Sequence, residues 1–320
     1  MNSVRLQRFL AIYEHRSFGR AAAGLNITQP ALTKSIQLLE EELGVKLLER
    51  TASGVIPTIY GEALSLHAKV IEAEMNNAAR EIATLSGAIK GELTVGVTPS
   101  VATDLIPRAF LQLQQERPGI LLRVVEGLME SHIPALRRGE LDLVIGGWVR
   151  AEHSDLTTEL LLHDEVLIFA GDEHPLAELA EVSWESLYDY PWVMPPKSQF
   201  WVQGLEQKLA SHGLQAPPAA AITNSAGFIR SVLLRNHYLS ALPARLLIND
   251  TRSGRIVALA VKSLDIGFDV TMTYRTQLAR LPAFNYFVET LRSICEAASS
   301  SEKGSRKPLR SSLGSTSSRK

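Results

Sequence analysis

The sequence predicts a multidomain α+β chain: a helical N-terminal domain, a long connecting helix, and a C-terminal pair of α/β lobes. Three observations predict it. Ser17 to Arg50, SFGRAAAGLNITQPALTKSIQLLEEELGVKLLER, reads as two short helices around a tight turn. From Thr58 to about Ser86 apolar residues recur at spacings of four and three, with no proline and one glycine, Gly61. Beyond residue 91 short apolar runs alternate with helical patterns, which points to strand–helix units in a mostly parallel sheet. At 320 residues the chain exceeds one typical core, so two or three domains are expected.

The first domain opens on an amphipathic stretch carrying Leu6, Phe9, Leu10 and Tyr13. The Ser17 hydroxyl can cap the next helix, which places Ala21, Ala22 and Leu25 on one side. Asn26 and Ile27 make the turn, and Thr28 caps the following helix. Pro30 fits there because first-turn N–H groups have no helical partner. Leu32, Ile36, Leu39 and Leu43 then form one stripe expected to be buried. The opposite face carries Gln29, Thr33, Lys34 and Gln37, side chains that suit base edges and phosphates, with Thr28, Pro30 and Ser35 at its edge. Packed helix pairs of other kinds produce the same periodicity, so the residue types have to decide.

Phe18 to Arg50 closely resembles the N-terminal domain of LysR-type transcriptional regulators. The matching segments are A-A near the end of one helix, T-Q-P-A-L-T-K-S-I, L-E-E-E-L-G-V-K-L-L-E-R, and G-V-I-P-T-I-Y-G-E downstream. The resemblance implies a winged helix-turn-helix over residues 1–60 that binds double-stranded promoter or operator DNA. Arg50 and the wing, Ser53 to Thr58, are then expected on the DNA backbone. Two departures stand out. Leu48 replaces the usual Phe, and Thr51-Ala52-Ser53-Gly54 lacks the basic residues often found in the wing.

Residues 58–88 are expected to be a linker helix and hinge. Leu64, Ala68, Ile71, Met75, Ala78, Ile82 and Leu85 form a coiled-coil seam, and a helix of this length runs about 40 Å. A helix lying on its own domain competes with that reading. Pairing of two chains is preferred because the seam is narrow and its flanks are polar. Two recognition helices held in a dimer can read two half-sites. Gly87 to Gly91 form the hinge.

The strands expected next are Glu92–Val97, Leu121–Glu126, Asp142–Gly146, Glu165–Ala170, Trp192–Met194, Ala219–Ile222, Tyr238–Leu242 and Phe268–Tyr274. The helices are Val101–Arg117, Ser131–Arg138, Phe200–Ser211, Ala226–Arg235 and Pro282–Ala297. R-G-E-L-D-L-V-I-G-G also resembles the LysR-type effector domain, which is two-lobed like periplasmic binding proteins. The expected domain is 91–298, with lobe I at 91–163 and 267–298 and lobe II at 164–266. The Ser-rich basic segment 299–320 is expected to be disordered.

In open α/β sheets ligands sit beyond the C-terminal ends of strands. That places Thr98, Pro99, Ser100 and Val101 at the first strand–helix junction, followed by Met129, Gly147, Trp148, Ser198, Phe200, Trp201 and Ser225. Hydroxyls and free helical N–H groups can hold an anion without lysine, although a plain helix cap looks the same. Trp148, Phe200 and Trp201 favour an aromatic or other organic acid, and each alone is also an ordinary packing aromatic.

Formal net charge is −1, so any DNA-binding surface must be local. Cys295 is the only cysteine, which excludes an intrachain disulfide and fits the cytoplasm. No secretory signal or membrane span is expected. His132, His163 and His174 lack metal-ligand spacing, and no catalytic motif, cofactor fingerprint or metal site is present. The expectation is a non-enzymatic regulator, dimeric through its linker helix and tetrameric as is common in the family. A solute-binding protein of a transport system is the alternative, and it leaves Ser17 to Arg50 unexplained.

Overall fold

The computed structural model describes residues 2–52, 54–85, 91–147, 155–235, 237–262 and 264–305. Helix α1 (Ser3–His15) starts where Asn2 Oδ1 accepts from Val4 N at 2.8 Å. Ser17 and Thr28 cap α2 (Phe18–Gly24) and α3 (Gln29–Leu43) with their side chains, as the sequence predicts. Gly44 ends α3 with a left-handed φ of 71°, a conformation with little penalty when no Cβ is present. Leu6, Phe9, Ile12, Ala21, Leu32, Ile36 and Leu39 bury together as the core of this head. Leu43 departs from the expected stripe: it is 39% exposed, because the last turn of α3 runs past the edge of that core.

Strands β1 (Leu48–Thr51) and β2 (Gly54–Pro57) pair antiparallel as the wing. Helix α4 (Ile59–Leu85) spans 27 residues, about 40 Å at the helical rise. The expected seam divides along it. Ala68 is buried in the head core with Leu64 packed on it, while Ile71, Met75 and Ile82 remain exposed. Midway along α4, Ala73 is also buried, against Gly139 of the C-terminal domain. Two ion pairs flank that contact: Lys69–Glu140 at 2.6 Å and Arg275–Glu74 at 3.5 Å.

The C-terminal domain begins with β3 (Glu92–Val97), whose Leu93, Val95 and Val97 are fully buried. Then come α5 (Pro99–Ala102), α6 (Leu105–Glu116), β4 (Leu121–Glu126), α7 (Met129–Arg137) and β5 (Leu143–Gly147). A single helix expected over Val101–Arg117 is broken at Thr103 and Asp104. The break is held from the other lobe: Thr103 Oγ1 donates to Arg245 O at 3.1 Å, and Asn249 Nδ2 donates to Thr103 O at 3.1 Å.

Strand β6 (Thr157–Gly171) is far longer than the expected Glu165–Ala170 and crosses between lobes. After it come β7 (Trp192–Met194), α8 (Phe200–Ser211), β8 (Ala219–Ile222), α9 (Ala226–Leu233), β9 (Ser240–Pro243), α10 (Ile248–Arg252), β10 (Ile256–Ala258), β11 (Gly267–Tyr274) and α11 (Pro282–Ser305). The main sheet runs β10-β6-β11-β5-β3-β4, with β9 also on β6. Residues 157–165 of β6 pair with β11, and 166–171 pair with β9 and β10.

Between the named strands, parallel ladders join only β4-β3-β5 and β7-β8 among the described residues, so the mostly parallel sheet expected from the alternation is corrected to a mixed one. The reason is β11, which returns from lobe II and lies antiparallel between β5 and β6. Helix α11 reaches Ser305, which corrects the disorder expected from residue 299; residues 306–320 lie outside the described ones. Most of the expected hinge, residues 86–90, lies outside them too.

Candidate DNA-reading face and effector cleft

The exposed face of α3 carries Gln29, Pro30, Lys34 and Gln37, with Thr33 half-buried among them. Lys34 has no ion-pair partner among the described residues, leaving its charge available to a polyanion. Ser35, expected at the edge of this face, is corrected: it is 5% exposed, and its Oγ meets no hydrogen-bond partner. Its position follows from helical geometry, which puts residue 35 between Leu32 and Leu39 on the core side. Thr58, expected on the DNA backbone, has an internal task. Its hydroxyl donates to Lys46 O at 2.6 Å and accepts from Gly61 N at 3.1 Å. Ser53 lies outside the described residues.

Glu40 shows what the sequence pattern concealed. Its side chain is nearly buried, and Oε1 accepts from Leu47 N at 2.9 Å and Leu48 N at 3.3 Å. Oε2 faces Lys46 Nζ at 2.6 Å. The carboxylate of α3 therefore holds the segment from which the wing departs, and α4 grips the same segment through Thr58. Gly61 permits that grip, because a Cβ there would overlap Leu47 O. Arg50 lies with its guanidinium carbon 4.4 Å from the centre of the Phe18 ring and donates to Thr33 Oγ1 at 3.4 Å.

The second site is a cleft between the lobes with a cavity volume of about 60 Å³. Thr98, Pro99, Ser100, Met129, Gly147, Phe200 and Trp201 line it, each of them expected there from the sequence. Thr223 and Asn224, at the cleft edge expected just before α9, join them, and so do Gln199 and Phe268, which sequence reasoning missed. Val101 is corrected: it is fully buried in the lobe I core. Ser198 points to solvent and Gln199 takes its place. Ser225 instead caps α9, accepting from Phe228 N at 3.2 Å. Trp148 lies outside the described residues.

Four helix N-termini converge on this cleft: α5 at Pro99, α7 at Met129, α8 at Phe200 and α9 at Ala226. Those of α5, α7 and α8 have no side-chain cap. Val101, Ser131 and Val202 N–H close onto Thr98, Leu128 and Gln199 O, which leaves the N–H groups of Ser100, Met129, Glu130, Phe200 and Trp201 for a ligand. Among the described residues no Lys, Arg or His lines the cleft, and Glu130 is the one charged side chain there. The Gln199 side chain is about nine-tenths buried and its amide has no hydrogen-bond partner among the described residues. Trp201 Nε1 is likewise buried and unpartnered. Phe200 packs edge-on against Phe268 at 5.1 Å and Trp201 at 5.2 Å. Gly147 leaves room for that wall, since a Cβ there would fall 2.5 Å from the Phe268 ring.

The histidines near these elements are structural. His132 is buried behind β3 with Nε2 3.2 Å from Val97 O; burial lowers its pKa, against a smaller raising effect from that bond. His174 Nδ1 accepts from Leu176 N at 3.1 Å, and burial lowers its pKa too. Among the described residues no three His, Cys, Asp or Glu side chains gather as a metal site.

A winged head joined by a long helix to a two-lobed cleft defines a ligand-responsive DNA-binding protein. Comparison with known proteins gives the family. The family model for the LysR substrate binding domain matches residues 86–296, and that for the bacterial regulatory helix-turn-helix protein, lysR family, matches residues 4–62. The chain belongs to the LysR-type transcriptional regulators. It is 29% identical over 271 residues to the transcriptional regulator PcaQ of Agrobacterium fabrum, covering 84% of this chain and 87% of that one. It is 26% identical to CysL of Bacillus subtilis, covering 90% and 96%.

Among solved structures it resembles full-length OxyR from Pseudomonas aeruginosa, with a TM-score of 0.68, 22% identity and coverage of 91% and 95%. It also resembles full-length CbnR in complex with its target DNA, with a TM-score of 0.67, 18% identity and coverage of 92% and 99%. These relatives are transcriptional regulators, so the transport alternative is set aside: this chain is a DNA-binding regulator with an effector-binding domain.

Proposed function

We propose that the chain reads promoter DNA as a dimer of heads, and that an aromatic or other organic acid in the cleft sets its activity. Gln29 and Thr33 face base edges, Lys34 and Gln37 reach bases or adjacent phosphates, and Thr28 and Pro30 border the groove. The exposed row Ile71, Met75 and Ile82 on α4 supports pairing with a second copy. A tetramer is supported by the open edge of β4 and by α6, which expose Leu121, Val124, Phe110 and Leu111. Nothing in this role calls for catalysis, a cofactor or a metal. Among the described residues no helix is long and apolar enough to cross a membrane. The chain acts where its DNA is, in the cytoplasm.

One observation carries the effector reading: four helix N-termini meet beside an aromatic wall, with no basic side chain among the described residues that line it. Backbone N–H groups and the Gln199 amide bind a carboxylate, while Phe200, Trp201 and Phe268 bind its ring. Closure of the lobes on that ligand biases the assembly by its difference in affinity for the two states, about 1–3 kcal/mol for modest coupling. Titrating benzoate and related aromatic carboxylates, their amides and simple sugars against tryptophan fluorescence tests this. Carboxylates are expected to respond; a response to sugars alone overturns the acid reading.

A further inference from the structure

We propose that Arg50 is a positioning residue for base reading: it orients the Thr33 hydroxyl on α3 instead of neutralising a phosphate. Its charge and its place on the wing invite the phosphate reading. The geometry points elsewhere. The guanidinium lies 4.4 Å from the centre of the Phe18 ring while Nη2 donates to Thr33 Oγ1 at 3.4 Å. Phe18 is the first residue of α2 and packs into the head core, so the ring is a fixed platform. One cation thus joins α2, β1 and α3. A planar guanidinium can stack on a ring and donate from its edge together, which a lysine ammonium cannot reproduce.

The bond has a chemical consequence at the DNA. A hydroxyl that accepts from Arg50 keeps its own proton to give away. Thr33 therefore presents a donor to the major groove. Acceptors there are guanine O6 and N7, adenine N7 and thymine O4, whereas the cytosine edge offers an amino donor. Arg50 in this role sharpens one position of the recognised sequence through a group it does not carry. The inference rests on the proposal that the exposed face of α3 reads bases.

The test uses the full-length protein and a duplex that it selects from a randomised library. Binding is measured to that duplex and its single-base-pair variants, across a salt series, for Arg50→Ala, Arg50→Lys, Phe18→Leu and Thr33→Val. Thr33→Val identifies the base pair concerned. Arg50→Ala and Arg50→Lys are each expected to lower discrimination at that pair by roughly tenfold, with other positions and the salt slope unchanged. Phe18→Leu should act in the same direction, and Arg50→Ala should add nothing to Thr33→Val. Loss that is equal on every duplex, with a slope shallower by about 0.9 per lost phosphate contact and rescue by Arg50→Lys, overturns the proposal. Unchanged binding by both Arg50 variants overturns it as well. If Gln29→Ala and Thr33→Val leave all discrimination intact, the reading of α3 has failed separately. Circular dichroism melts show whether each variant is folded, and Arg50→Lys carries the test should Arg50→Ala unfold.

Discussion

The head and the cleft both suit anions, and they do so by opposite means. On α3 the groups proposed to face DNA are side chains, with the Lys34 charge held in water. In the cleft the proposed donors are backbone N–H groups of α5, α7 and α8, and among the described residues no cationic side chain lines it. A solvated lysine carries little desolvation penalty on an open surface and gives salt-dependent attraction along a whole duplex. Inside a cleft the same charge would have to be buried, with a cost wherever the ligand was absent. Fixed dipoles avoid that cost. Reach and accessibility, rather than ligand charge, then decide which kind of donor each proposed site uses.

The largest effect expected belongs to the lobe crossover. Asp164 sits on β6 with Oδ1 accepting from Glu165 N at 2.9 Å, Oδ2 unpartnered, and burial pushing its pKa up to about 6. A carboxyl whose folded pKa lies above its ordinary value favours folding when protonated. Stability should therefore fall as pH rises from about 4 to about 6, by on the order of 2–3 kcal/mol, and stay lower above that. Asp164→Asn should remove this step in urea melts of the full chain; an unchanged pH profile would contradict the assignment.

Next is the head. Glu40→Ala strands the N–H groups of Leu47 and Leu48 and should destabilise it by about 1–3 kcal/mol. Hydrogen exchange should report that loss in residues 2–60 and leave the lobes unaffected.

Gln199→Leu should weaken a responding carboxylate roughly tenfold, about 1.4 kcal/mol, with DNA affinity in its absence unchanged. A loss of DNA binding in that variant would break the separation of the two sites. Lys46→Ala is the smallest change. Its ammonium is 74% exposed, so loss of the pair with Glu40 should cost less than about 1 kcal/mol. If Lys46→Ala matches Glu40→Ala in thermal melts, charge rather than the two backbone N–H groups holds the wing.

Local sequence decided most of the secondary structure. Asn2, Ser17 and Thr28 each cap a helix with their own side chain, an interaction settled within three residues. Leu93, Val95 and Val97 alternate as a half-buried strand should, and the element is where the alternation puts it. The head motif was legible for the same reason: the residues proposed to read DNA and the core residues share one helix with a fixed period.

What tertiary structure decided involves partners far apart in the chain. The helix break at Thr103 depends on Arg245 O and Asn249, and the length of β6 depends on the return of β11. Glu40 stands in a run of three acids, Glu40 to Glu42, yet the arrival of Leu47 and Leu48 N–H made it an internal anchor. Phe268 entered the cleft only because β11 recrosses between lobes, and Ser35 left the DNA face only because the core closes over it. Caps and periodicity are short-range and survive in any context. Register, burial of single polar atoms and the walls of a cleft are set by which distant backbone groups need partners once the chain has collapsed.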